Sequence, residues 1–200
     1  MKTSEYPEMT FVIEQAFKQL EAEKLAPWTF MKAGKMKSIE DFNGRRIHYP
    51  GIVDLEGSPR QVFWDDFIEP FLEAIFIWAF DLSLAYAEKR KLHPNPVVQH
   101  ARLCLSRGIY WIYARMQDID RMLSGKEFPN QVAQHDTSRQ IESMHIRLQE
   151  YHDAAVAALT SHGAALGVPS LSEVLELKPG IAGFSVDLKK LWHWAKSRFR

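Results

Sequence analysis

The sequence predicts an all-α protein. It reads as an antiparallel four-helix bundle with short extra helices and a small irregular or hairpin insertion at about 26–57. Three observations predict it. The stretch FIEPFLEAIFIWAFDLSLAY, from Phe67 to Tyr86, is apolar round almost its whole circumference, so a helix there must be covered on most sides. Apolar residues recur in alternating steps of four and three over two further long segments. Prolines, glycines and capping residues punctuate these segments and leave short connections, which make consecutive helices antiparallel neighbours.

The first core helix is expected over 7–25. Pro7 suits a first helical turn, Phe11, Ile13, Phe17, Leu20 and Leu25 supply the apolar positions, and Pro27 stops it. Residues 26–57 hold four glycines and Pro50. Within them Arg46–Tyr49 and Ile52–Leu55 are expected to pair around Pro50-Gly51 as a hairpin. Ser58-Pro59-Arg60-Gln61 is a capping box that opens the second helix, 59–91, in which Pro70 should kink the path. Its stripe is Ile68, Leu72, Ile75, Ala79, Leu82 and Tyr86.

Asn95 and Pro96 start the third helix, 96–124, whose seam runs Leu105, Ile109, Ile112, Met116, Ile119 and Leu123 to a stop at Gly125. The fourth, 131–162, carries Ile141, Met144, Leu148, Tyr151, Ala155 and Ala158. A capping box at Ser170 heads a short helix at 171–177. Ser185 caps a basic amphipathic helix at 186–199. The whole chain, 1–200, reads as one helical domain.

With 25 basic and 25 acidic residues the chain has no general attraction for nucleic acid or an anionic membrane. One cysteine, Cys104, excludes an intrachain disulfide and a cysteine-rich zinc site. The first nine residues hold no apolar core of a signal peptide, and the charge-free run Ala74–Phe80 is far short of the roughly 20 residues a membrane span needs. A soluble, cytoplasmic protein is the expectation. Glycine-rich phosphate and dinucleotide motifs and a Gly-x-Ser-x-Gly elbow are absent, and no cofactor is expected.

Chemistry is sought in what the bundle leaves over. Asp81 sits inside the apolar stretch, where an unpaired carboxylate costs several kcal/mol. A buried pair with Arg102, Arg107 or Arg115 on the next helix is expected, as a polar centre or ligand pocket. The fourth helix carries His135, His145, His152 and His162. Glu142 and His145 form a Glu-x-x-His pair, the ligand unit of carboxylate-bridged bundles. With Glu69, Glu73 or Asp81 it would make a mononuclear metal site.

The same helix places Arg139 six residues before His145 and Arg147 five before His152. This spacing resembles that of the HEPN ribonucleases, small all-α and usually dimeric. The resemblance implies a metal-independent attack on RNA, with the histidine moving a proton and the arginine clamping the scissile phosphate. Gln140 and Leu148 follow the two arginines, and Leu148 departs from that family's pattern.

The C-terminal helix sets Lys189, Lys190, Lys196 and Arg198 around Trp192 and Trp194. Residues 186–200 could therefore meet a partner protein or lie on an anionic membrane. Six tryptophans and an apolar surplus in the second helix favour a different leading reading. It is a non-enzymatic helical protein of regulatory or adaptor type that acts through protein–protein contacts and self-associates, as a dimer.

Overall fold

The computed structural model describes residues 5–26, 37–40, 46–49, 68–126, 137–161, 175–177 and 184–186. The fold is an all-α helical bundle. Helix α1 spans Pro7–Leu20, α2 Glu69–Arg90, α3 Pro94–Lys126 and α4 Ser138–Ser161. Strands β1 (Lys37–Glu40) and β2 (Arg46–Tyr49) form one antiparallel ribbon, β3 (Leu175–Leu177) and β4 (Phe184–Val186) another.

Helix α2 packs against α1, α3 and α4. Of its 22 residues 13 are buried, so the apolar surplus is absorbed by three neighbours rather than left in water. Ile68, Leu72, Ile75, Phe76 and Ala79 are shielded completely, against Ile13 and Leu20 of α1, Val97, Ala101, Leu105, Ile109 and Ile112 of α3, and Met144 of α4. Each of the larger of these side chains contributes about 1.5–3 kcal/mol. Ser83 is also buried, and its hydroxyl donates to the Ala79 carbonyl at 2.6 Å, which removes the cost of a stranded polar group. Among the described residues α2 is the one helix long and apolar enough to cross a membrane. Its most apolar window has mean hydropathy 1.4, and 72% of that window is covered by the protein itself.

Local chemistry explains the helix ends. Pro70 is the second residue of α2, a first-turn position that proline tolerates; residues 59–67, over which a longer helix is expected, lie outside the described residues. Helix α2 closes in a Schellman motif. Leu92 N–H reaches the Ala87 carbonyl at 2.9 Å, Lys91 N–H the Glu88 carbonyl at 3.1 Å, and Lys91 adopts φ 53° at the position glycine usually takes. Helix α3 starts at Pro94, two residues ahead of the expected Pro96, because proline itself fits a first turn. Helix α4 begins only at Ser138. Thr137 precedes it, and its carbonyl accepts from Ile141 N–H at 2.9 Å. After Leu20 the chain continues as a π-helical turn, Glu21–Leu25. Leu20 and Leu25 are both buried; in a regular α-helix they would point about 140° apart, and the wider turn returns Leu25 to the core side.

The short elements differ from expectation. Arg46–Tyr49 is a strand, and it pairs with Lys37–Glu40; the expected partner Ile52–Leu55 lies outside the described residues. The observed register sets Ile39 opposite Ile47 and Glu40 opposite Arg46, an apolar pair and an opposite-charge pair. Leu175–Leu177, expected to end a short helix, is a strand paired with Phe184–Val186. Its Leu-Glu-Leu alternation has the period of two that suits a ribbon, with Leu175 facing Val186 and Leu177 facing Phe184. Val186 is thus in a strand. The rest of the expected C-terminal helix, with Lys189, Lys190, Trp192, Trp194, Lys196 and Arg198, lies outside the described residues.

Candidate functional site

Helices α3 and α4 meet along a polar seam. Arg102 donates to the Gln149 side-chain oxygen, Ser106 Oγ lies 2.9 Å from His145 Nε2, and Gln117 Nε2 donates to Thr137 Oγ1 at 2.7 Å. His145 Nδ1 is 2.8 Å from the Ile141 carbonyl, which has no proton to give. Nδ1 therefore carries the proton, and Nε2 accepts from Ser106. The Tyr110 ring leans on His145 with centroids 5.0 Å apart. These rungs fix the two helices side by side and leave an outer face.

That face is unusually apolar. Leu103 is 48% exposed, Tyr110 57% and Ile146 56%. Leu103 and Tyr110 lie seven residues apart on one line of α3, and Ile146 follows the histidine against which Tyr110 leans. Phe11 on α1 and Leu92 after α2 are the other large exposed apolar residues among those described.

The ribonuclease-type pairs do not converge. His145 faces α3, whereas Arg147 faces α2, where it bonds Glu73 and lies 3.4 Å from Glu69 Oε2. Arg139 lines a groove beside Arg147, away from His145. His152 Nδ1 lies 3.0 Å from Asp153 Oδ1, and its ring packs edge-on against Phe80 at 5.9 Å. The reason is helical arithmetic. A step of six residues turns the chain by about 240° and a step of five by about 140°, so each pair straddles the helix.

The described residues do not bring the candidate metal ligands together. Glu142 is exposed, His145 is engaged at both nitrogens, and Glu69 and Glu73 hold Arg147. Among the described residues no three His, Cys, Asp or Glu side chains gather as a metal ion requires. Asp81 is buried as expected, at 9% exposure, and is a partnered side chain. Its expected arginines are engaged or turned elsewhere: Arg102 holds Gln149, Arg115 holds Glu21 at 2.5 Å and Asp118 at 3.4 Å, and Arg107 is exposed. On α3, Arg115 lies on the side that meets α1 and its π-helical turn, not the side that meets α2. Cys104 is buried, 3.8 Å from Thr10 Oγ1, and burial pushes its thiol up, away from the reactive thiolate.

Arg147, Glu73 and Tyr151 form a compact ionic cluster between α2 and α4. The Tyr151 hydroxyl donates to Glu73 Oε2 at 3.1 Å. Burial, and then the neighbouring Glu73 charge, push that hydroxyl from 10.0 up to about 12. A raised phenol favours the neutral form in the fold, so its stabilisation is complete below pH about 10 and is lost as pH rises toward about 12. Discounted for partial exposure, the loss is about 1–2 kcal/mol. Urea unfolding at stepped alkaline pH should show this decline in the parent chain and a shallower one in Tyr151→Phe; equal slopes would contradict it.

The helical bundle and its apolar outer face are therefore the features from which function must be argued. In comparisons with protein-family models, with curated proteins and with solved structures, nothing matches this chain.

Sequence reasoning missed Leu103, Tyr110 and Ile146. The signal was present. Leu103, Cys104 and Leu105 are consecutive, and at about 100° per residue a helix has no way to bury all three on one side. Tyr110 adjoins the seam residue Ile109, and Ile146 lies two positions from Met144 and from Leu148.

Proposed function

We propose that this chain is a non-enzymatic helical protein that acts through protein–protein contacts and associates with itself, as a dimer, through the outer face of α3 and α4. The observation that carries the reading is the exposure of Leu103, Tyr110 and Ile146 around one seam that its own hydrogen bonds hold together. Tyrosine is favoured at contact surfaces because it brings a large rigid area with a polar tip. Arg107 lies between Leu103 and Tyr110, and Glu142 precedes Ile146 by one turn; both are exposed. A two-fold arrangement would let this basic and acidic edge meet its complement, as an isologous interface requires. A regulatory or adaptor role in the cytoplasm fits this reading, and a free buried thiol is at home in a reducing compartment.

The test is light scattering after size exclusion. The parent chain is expected to run as a dimer, and Tyr110→Glu with Ile146→Glu as a monomer with an unchanged thermal midpoint. A parent chain that stays monomeric at about 100 µM would reject the reading, since even weak dimers assemble there.

A further inference from the structure

Helices α1 and α2 run antiparallel and leave a groove at one end of the bundle that has no role in the reading above. Glu8 and Arg90 pair across its mouth, and Ser83 meets Met9 further in. The groove encloses about 600 Å³, within the range of small-molecule sites.

Its character changes from one end to the other. Met9 and Leu82, both buried, form the floor. Val12 and Tyr86, half-buried, and Phe11, 43% exposed, form the walls. The charges gather where α1 begins and α2 ends. Both Glu8 oxygens accept from Arg90 Nη2, at 2.9 and 2.7 Å, so the acid at the mouth is already neutralised. Arg90 also lies over the Tyr86 ring, 5.6 Å from its centroid, which holds that ion pair against the wall. Lys89, exposed beside it, makes no ion pair among the described residues. A lysine lays its apolar stem along an apolar wall and keeps its ammonium in water. The groove therefore offers accessible apolar walls along its length and an uncommitted cation at its mouth.

We propose that this groove binds a fatty acid, a single acyl chain that ends in a carboxylate. The chain lies between Phe11, Val12 and Tyr86, over Met9 and Leu82, and the carboxylate meets the Lys89 ammonium at the mouth. Burial of the chain supplies most of the affinity, because an ion pair open to water adds little. The charge sets the direction in which the chain enters. An extended peptide suits the groove poorly, since its N–H and C=O groups would be stranded against these walls.

Calorimetric titration of the full chain with octanoate, decanoate and dodecanoate, each below its micellar concentration, tests this. Dodecanoate is expected to bind with a Kd below about 100 µM. Each two-carbon extension should tighten binding about tenfold, the effect of two more buried methylenes. Lys89→Glu changes an exposed residue and leaves the core untouched; it should weaken dodecanoate about fivefold, because attraction becomes repulsion. Dodecyltrimethylammonium, the same tail with the opposite charge, should bind the parent chain more weakly than dodecanoate and should gain affinity in Lys89→Glu. The doubly substituted Tyr110→Glu, Ile146→Glu chain should keep the parent affinity for dodecanoate, which separates this groove from the outer face of α3 and α4. Four results would overturn the proposal: no binding of dodecanoate, affinity independent of chain length, the cationic amphiphile binding the parent as tightly as dodecanoate, or loss of binding in the Tyr110→Glu, Ile146→Glu chain. Self-association is read by light scattering without any amphiphile, and its outcome does not bear on this one.

Discussion

Gly108→Ala is expected to destabilise the protein although it replaces a mid-helix glycine with the best helix former. Intrinsic propensity alone would gain about 1 kcal/mol. A Cβ at position 108, however, would lie 2.1 Å from Cε2 and Cζ and 2.5 Å from Cε1 of Phe17, a ring with 1% exposure. No rotation of a buried ring yields that much, so α1 must move away from α3. Overpacking of this kind costs about 1–3 kcal/mol, and loosening the α1 contact adds to it. A net loss of about 2–3 kcal/mol should lower the thermal midpoint by about 5–10 °C in a chain of this size. Gly108→Leu should prevent stable folding. Combining Gly108→Ala with Phe17→Ala separates the causes: the added methyl then enters space the ring has left, so the double variant should lose less than the two singles together. Strict additivity would show that the close approach is not what matters.

Arg147→Ala is the second large effect. The guanidinium bonds Glu73 and lies 3.4 Å from Glu69, whose side chain is 10% exposed. Removing the cation leaves two carboxylates facing each other in a poorly solvated cleft. Stripping one partner from a buried ion pair costs about 3–5 kcal/mol; with Arg147 itself 40% exposed, about 2 kcal/mol is the expectation at neutral pH. Arg147→Lys should recover only part, because an ammonium lacks the planar fork that reaches both acids. Denaturant titrations at neutral pH read both effects; a lysine variant as weak as the alanine variant would mean that lost packing, not stranded charge, is responsible.

The helices were legible because their information is local and periodic. Among the described residues the stripe of α2, the seam of α3 and that of α4 belong to the core, with Tyr86, Ile141, Tyr151 and Ala155 half-buried at its margin, since a 3.6-residue repeat of apolar side chains has one efficient use. Pairings across elements were not legible. Asp81 was matched with arginines by their proximity along the chain, but direction round α3 decides, and Arg115 faces Glu21. The strand Arg46–Tyr49 was recognised, but its partner was not, because register depends on which cross-strand residues agree. The groove between α1 and α2 is invisible in sequence for a related reason. Phe11 and Val12 come from one helix, Leu82 and Tyr86 from another about seventy residues on, and only packing makes them neighbours. Gly108 reads in sequence as a mild weakness of α3; the Phe17 ring against it is what makes it necessary.

The burial of α2 on three sides has a consequence for how the chain is made. Its coverings arrive late. Only α1 precedes it, and the last turn of α4 is translated roughly 70 residues after α2 ends, which at about 5–20 residues per second leaves a gap of about 4–15 s. During that interval α2, as long and as apolar as a membrane-crossing helix, lacks its covering from α4. Transiently bare apolar surface of this kind is prone to aggregate, so the yield of folded chain depends on how soon α3 and α4 close over it.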